Sequence, residues 1–468
     1  MRTFKYCFVL IIILTAFSCK KDYTNQWVSL MPGKSMAGWK KDSDKRYFEQ
    51  LDSTLLLTGK GALYYSGKIQ EAKFKNFEFS ADIKTQADAV AGLWFHSGLS
   101  SGYQVLINNT PDSEEQRKTG SLCAVRNVYK SMAANDQWFN LKIRVVGKHI
   151  TVRVNDILMV DYVEPEAPYR TEDNNGKLIA QGSFALENYT NKQIVFRNIR
   201  VMPLVADALD RTDAVDEKND EIIRLQQANF PVIDFHVHLK GWNQKQAMDH
   251  SRKIGISYGI APNCGIGFPV TSDDDIYTFI DTTRNLPCFM AMQGEGREWV
   301  NTFSKEAREQ FDYVFTDAMT FTDHKGRRTR LWIPEEVFID IDQEKYMDII
   351  VDRAVKVLKE EPIDIYVNPT FLPDEMTNAY DALWTKERYM KIINTLVQNN
   401  IALEINARYR IPNEAIIRAA KDAGVRFAFG TNNATPDMGK LDYCIEMMKK
   451  CGITKHDMFF PIAKMTGE

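Results

Sequence analysis

From Gln26 to Leu204 apolar and polar residues alternate in short runs, and Gly, Asn or Asp breaks the runs apart. Phe77-Glu78-Phe79-Ser80-Ala81-Asp82-Ile83, Ala91-Gly92-Leu93-Trp94-Phe95, Tyr103-Gln104-Val105-Leu106-Ile107 and Phe139-Asn140-Leu141-Lys142-Ile143-Arg144-Val145 are examples. A period of two sends successive side chains to opposite faces, so each run reads as a strand. Gly147-Lys148 and Asn155-Asp156 stand where hairpin turns belong. Many short strands between turn signals predict an all-β sandwich or jelly roll over residues 24–204.

Past residue 204 the period changes. Asp207 to Gln227 is charged, with one apolar edge at Ile222, Ile223 and Leu225. It predicts a helical linker over 205–229 whose acidic residues form a solvated face. From there, over 230–462, strands at Val232–His238, Ile256–Ala261, Cys288–Gln293, Tyr313–Met319, Asp364–Pro369, Ile401–Asn406 and Arg426–Thr431 alternate with amphipathic helices. The helices fall near 243–254, 273–285, 302–311, 342–360, 385–400, 412–424 and 439–451. Seven strand–helix units predict parallel strands in a barrel or a doubly wound sheet.

The second half is organised around Phe230 to Leu239. Strict alternation along it puts Asp234, His236 and His238 on one face and Phe235 and Val237 on the other. Two imidazoles and a carboxylate at a strand end are usual donors for a divalent metal; histidines that merely pack against the strand end are the alternative. The other strand ends are polar too. Asn263, Glu295, Asp317 (with Asp323-His324 in its loop), Asn368 and Asn432 close or follow a strand, and Glu404 sits within the sixth. In a parallel barrel such residues converge at the C-terminal mouth.

Composition narrows the classes. Net charge is −3, and no basic run interleaved with aromatics appears, so nothing points to nucleic acid. Aromatics make up 11%, which suits sugar-stacking surfaces and ordinary β-rich cores alike. Seven cysteines without a CxxC pair argue against a disulfide framework. Met1 to Lys5 supplies positive charge, Phe8 to Phe17 an apolar stretch too short to span a bilayer, and Ala16-Phe17-Ser18-Cys19 resembles a lipobox. The expectation is a signal peptide over 1–18 and a lipid on Cys19. That would anchor the chain in the periplasm or on the outer-membrane surface of a Gram-negative bacterium.

The first half resembles the 3-keto-disaccharide hydrolase domain family. The likeness runs from Leu30–Trp39 through Gly92–His96, Gly102–Val105, Gly120–Leu122 and Asp136–Phe139 to Phe196–Arg200. It implies a concanavalin-like sandwich acting on oxidised glycosides or oligosaccharides. The implied reaction is β-elimination (1,2-lyase) and hydration of 3-keto-glycosides, together a net hydrolysis. Such a site needs a base, an electrophile on the ketone oxygen and an acid for the leaving group. Candidates are His96, Tyr103, Glu187 and Arg126 for catalysis, with Trp94, Gln104 and Lys130 for substrate. In the late strand, where the family has Gln followed by Asp-His, this chain reads Ala185-Leu186-Glu187-Asn188-Tyr189.

The second half resembles the polymerase-and-histidinol-phosphatase (PHP) superfamily, a distorted seven-stranded (β/α)7 barrel. The likeness lies in Asp234–His238, Ala402–Asn406, Arg410–Pro412, Ala423–Val425 and Gly430–Asn433. By that match His236, His238, Glu295 and Glu404 stand at metal-ligand positions, with Asn263, Asn368 and Asn432 where the family has acid or imidazole ligands. One divalent metal (Zn, Mn or Ca) is the implied cofactor, with no organic cofactor. A metal-free sugar pocket that includes Asn368 and Asn432 is the alternative. Three functions follow: a 3-keto-glycoside lyase/hydratase, a sugar-binding sandwich fused to a PHP-type phosphoesterase, or a non-catalytic glycan-binding lipoprotein.

Overall fold

The computed structural model describes residues 23–31, 36, 38–42, 47–97, 101–205, 211 and 213–462. The leader and Cys19 lie outside these. Two antiparallel sheets form the first half. The front sheet contains β1 (Trp39–Lys41), β2 (Gly61–Tyr65), β3 (Ala91–Ser97), β4 (Tyr103–Ile107) and β5 (Ser183–Asn188), in the order β1-β2-β5-β3-β4. The back sheet runs from Ile157–Val163 through His149–Val154, Phe139–Val146, Phe77–Thr85, Ile194–Pro203 and Thr54–Leu57 to Phe48–Leu51.

Alternation decides what lies between the sheets. Leu93, Phe95, Tyr103, Phe184 and Leu186 of the front sheet bury against Phe77, Phe79, Ile143 and Phe196 of the back sheet. Phe184 packs on the rings of both Phe77 and Phe79, with centroids 4.9 Å apart in each pair. The other face of the front sheet carries Tyr64, Trp94, Gln104 and Glu187.

The second half is a closed parallel barrel. Its strands are β6 (Ile233–Val237), β7 (Ser257–Ile260), β8 (Phe289–Gly294), β9 (Tyr313–Thr316), β10 (Ile365–Tyr366), β11 (Ala402–Asn406) and β12 (Phe427–Gly430). They pair in chain order, and β6 also pairs with β12, which closes the ring. Helices α1 (Glu221–Gln227), α2 (Gln244–Ile254), α3 (Asp273–Thr283), α4 (Gln343–Glu360), α5 (Lys386–Asn399), α6 (Glu414–Asp422) and α7 (Asp442–Cys451) accompany it. The helix expected near 302–311 is two single turns, Trp299–Thr302 and Lys305–Arg308, separated at Phe303-Ser304.

The linker differs from expectation. Among the described residues its helix is α1, begun by Asp220, whose side chain accepts from Ile222 N. Glu217 before it is buried, not solvated: its carboxylate takes Arg170 Nη1 and Tyr162 OH, both at 2.8 Å, and Tyr169 N at 3.0 Å.

The two halves share a dry seam. The long connection after β4 lays Tyr129 against the barrel interior, in one apolar cluster with Ile233, Phe235, Phe289, Tyr313 and Phe459. Tyr129 OH donates to Phe230 O at 3.1 Å, and Asn127 N to Gln226 Oε1 of α1 at 2.5 Å. Lys130 Nζ pairs with Asp312 at 2.7 Å, both side chains essentially without solvent contact.

Candidate functional site

On the outward face of the front sheet, β5 and β3 bring Glu187 and Trp94 together. Trp94 Nε1 donates to Glu187 Oε2 at 2.8 Å, and Tyr189 OH donates to the same oxygen at 2.9 Å. Gln104 Nε2 donates to Tyr189 OH at 2.5 Å, which sets the phenol in place. Gly92 makes this packing possible, because a Cβ there would sit 2.4 Å from Gln104 Nε2 and 2.7 Å from Tyr189 OH. Ala62 and Ala185 carry only a methyl each, so a hollow of about 190 Å³ opens above the sheet. Tyr64, Asp173 and Lys177 complete its wall with Trp94 and Glu187. Burial and then the Glu187 charge raise the Tyr64 pKa, so the phenol keeps its proton. Burial lowers that of Lys177. A carboxylate, an ammonium, a phenol and an indole face thus share one small hollow, enough for proton transfer on a ligand held against an aromatic ring.

At the barrel mouth the polar strand ends do converge. His236 Nδ1 lies 2.7 Å from Glu404 Oε1, and its Nε2 lies 3.2 Å from Gln293 Oε1. Glu404 Oε2 takes Asn368 N at 2.6 Å and Asn406 Nδ2 at 3.0 Å. Asn368 Oδ1 accepts from Asn406 Nδ2 at 2.9 Å and Asn432 Nδ2 at 2.7 Å, while its own amide donates to Asp317 at 3.2 Å. Asn263 Nδ2 donates to Glu295 at 2.5 Å. Burial, then the Asp317 charge, pushes Glu295 up to about 8; burial raises Asp317 as well. Asn368 and Asn432 have φ of 47° and 46°, a left-handed conformation that Asn tolerates better than most residues.

One expectation about this mouth is overturned. Asp234 does not share a face with His236 and His238. The β6–β7 register slips between Asp234 and Val237, so three residues of β6 span two of β7. Phe235 packs inside the barrel, and His236 follows it there, 4.6 Å from the Phe315 ring. Asp234 instead binds Thr431 N at 2.9 Å and Gly439 N at 3.0 Å. The metal-ligand expectation meets a geometric obstacle as well. Both His236 nitrogens are engaged, and among the described residues no three His, Cys, Asp or Glu side chains gather as a metal-holding group. As arranged, the donors His236, His238, Glu295 and Glu404 do not fit a divalent ion. His238 donates through Nδ1 to Ala261 O, 2.9 Å away, and burial lowers its pKa to about 3.

Residues 26–202 match the 3-keto-alpha-glucoside-1,2-lyase-like domain. The front-sheet hollow lies within those matched residues. No curated protein matches the chain. Among solved structures, a Parabacteroides distasonis protein named provisionally as a glycosyl hydrolase is 16% identical over 38% of this chain and 94% of its own, with a TM-score of 0.32. The carbohydrate-binding module CBM66 from Bacillus subtilis is 16% identical over 36% and 97%, with a TM-score of 0.27. The VIP36 exoplasmic/lumenal domain, bound to Ca2+ and Man3GlcNAc, is 14% identical over 41% and 92%, with a TM-score of 0.28.

Four residues expected at the lyase-like site lie elsewhere. His96 is the extra residue of a bulge between β3 and β5, where Ser183 faces Ser97 and Phe184 faces Phe95. With φ of 51° it turns into the core, packs edge-on to Phe77 and places Nε2 2.9 Å from Lys75 O. Burial lowers its pKa to about 4. Tyr103 points between the sheets, where its hydroxyl binds Glu164 and takes Arg170 Nη2 at 3.0 Å. Arg126 reaches the C-terminus of α2, donating to Arg252 O at 3.3 Å and Lys253 O at 3.1 Å; cations are favoured there. Lys130 is consumed by Asp312. Trp94, Gln104 and Glu187 do meet. Tyr64, Tyr189 and Lys177 were missed, though strand parity puts Tyr64 across from Ala185 and thus beside Trp94.

Proposed function

We propose that the front-sheet hollow cleaves 3-keto-glycosides by β-elimination. The observation that carries this reading is the Glu187 carboxylate, held by Trp94 and Tyr189 in a hollow shared with Lys177 and Tyr64. A C3 ketone acidifies the C2 proton by delocalising the carbanion into an enolate. Glu187 takes that proton, and the Lys177 ammonium stabilises the charge developing on the ketone oxygen. The C1–O bond breaks as the C1=C2 bond forms, and Tyr64 protonates the departing oxygen. Addition of water to the resulting 3-keto-2-hydroxyglucal completes a net hydrolysis. The sugar ring lies against Trp94.

The test uses a 3-keto-glucoside with a chromogenic aglycone. Glu187→Gln should lower kcat by about 10²–10⁴-fold with a smaller effect on KM. Undiminished aglycone release by that variant overturns the assignment. In the same reading the mature chain begins at a lipidated Cys19 and sits on a Gram-negative cell envelope. Retention of a Cys19→Ala chain in the membrane fraction would count against that anchor.

A further inference from the structure

We infer that the C-terminal face of the barrel carries a second binding cleft, for an uncharged saccharide. Its walls come from three consecutive strand-to-helix loops. Trp332 follows β9, Phe371 and Tyr380 follow β10, and Tyr409 and Asn413 follow β11. The cavity is about 510 Å³, within the usual range of roughly 300–1,000 Å³ for small-ligand sites. This is the end of a parallel barrel where ligands bind.

The aromatic side chains are half-buried, each presenting part of a ring to the cavity. Phe371 and Tyr409 meet edge to face with centroids 4.9 Å apart. The loops behind them are tied down. Trp384 Nε1 donates to Thr370 O at 3.0 Å, Tyr380 OH and Thr370 Oγ1 are 2.5 Å apart, and Tyr443 OH donates to Pro412 O at 2.7 Å. Tyr409 also joins the cleft to the polar ring of the mouth, because its backbone N donates to Asn406 Oδ1 at 2.9 Å, and Asn406 in turn holds Asn368 and Glu404.

The chemistry selects the occupant. Flat rings take the C–H faces of sugars. Asn413, the amide of the lining, already accepts from Ile416 N at 3.1 Å and donates to Asp381 at 2.7 Å, so Asp374, Glu375 and Thr377 are the oxygens left for sugar hydroxyls. Arg410 is the cation of the lining, and its guanidinium is paired with Glu446 at 3.0 Å, while Asp374 and Glu375 add negative charge to the same lining. Phosphate recognition relies on gathered cations and backbone donors, so this balance disfavours a phosphoester and leaves a neutral polyhydroxyl ligand as the best match. The cleft does not depend on the elimination chemistry of the front sheet, and the experiment keeps the two apart.

Full-length protein carrying Trp94→Ala, which removes the front-sheet platform, is titrated calorimetrically with maltose and with cellobiose at millimolar concentration. The expected result is saccharide binding that Trp332→Ala weakens at least tenfold and Trp332→Phe largely restores, with unchanged thermal unfolding in both. To separate loss of a ring from disturbance of the Trp332 loop, Tyr409→Ala is measured in parallel and should weaken binding to a similar degree. Binding that survives both alanine variants, no binding of either disaccharide, or tighter binding of glucose 6-phosphate than of glucose overturns the proposal. Aglycone release by the Glu187→Gln protein bears on the front sheet alone.

Discussion

Lys130→Met tests whether the two halves fold as one unit. Lys130 Nζ and Asp312 Oδ2 are 2.7 Å apart, with side-chain exposures of 1% and 0%. Methionine keeps most of the lysine stem in place, so the packing along the seam changes little. What changes is the charge: Asp312 is left in a dry seam, supported by the Met290 N–H at 2.7 Å. Removing one member of a buried pair costs about 3–5 kcal/mol, and the retained backbone donor puts the expectation near the lower figure. Asp312→Asn in the same background removes the stranded charge while keeping an acceptor for Met290 N. The double variant should therefore recover much of the loss, about 2 kcal/mol relative to Lys130→Met alone. Urea unfolding followed by both tryptophan fluorescence and far-UV circular dichroism measures this, and in the wild type the two probes should report one transition. A Lys130→Met loss below about 1 kcal/mol, the level of a solvent-exposed pair, would refute the reasoning. So would two separated wild-type transitions.

Three further outcomes follow from the geometry. Gly92→Ala pushes a methyl into Gln104 and Tyr189, so it should release Glu187 from its phenol and cut aglycone release at least tenfold while the thermal unfolding curve moves little. His96 has an ordinary pKa of 6.5 unfolded and about 4 folded, so the unfolded chain binds the proton first. Its contribution is complete above pH 6.5 and is lost as pH falls towards 4, by about 3 kcal/mol at most; His96→Asn, suited to the positive φ, should flatten urea midpoints across that window and leave aglycone release near wild type. Glu217→Gln weakens a buried pair with Arg170 and should destabilise the chain by about 2–3 kcal/mol in chemical unfolding.

Much of the architecture was legible because burial on one face imposes a period. The runs through Phe77–Ile83 and Phe139–Val145 alternate and are strands; the seven apolar segments from Val232 onward are the seven barrel strands, the third shifted by one residue and the others shortened by one to three at an end. The site was legible where that period holds without interruption. Trp94, Gln104 and Glu187 share a face by parity alone, as does Tyr64, which was overlooked. It failed where a bulge intervened. One extra residue at His96 and another between Asp234 and Val237 each turned a side chain to the opposite face, and a bulge leaves no composition signal in the strand that carries it.

Sequence alone thus settled what local periodicity can settle: two kinds of fold unit, their order, and a ring of polar residues at the strand ends. Tertiary structure decided what depends on neighbours distant in the chain. Arg126 and Lys130 look like free cations in a loop, yet each is spent on a partner more than a hundred residues away. Glu217 looks solvated among acidic neighbours, yet it is buried against Arg170. A charge in one chain segment carries no mark of which surface will close over it, because that surface exists only once both halves have folded together.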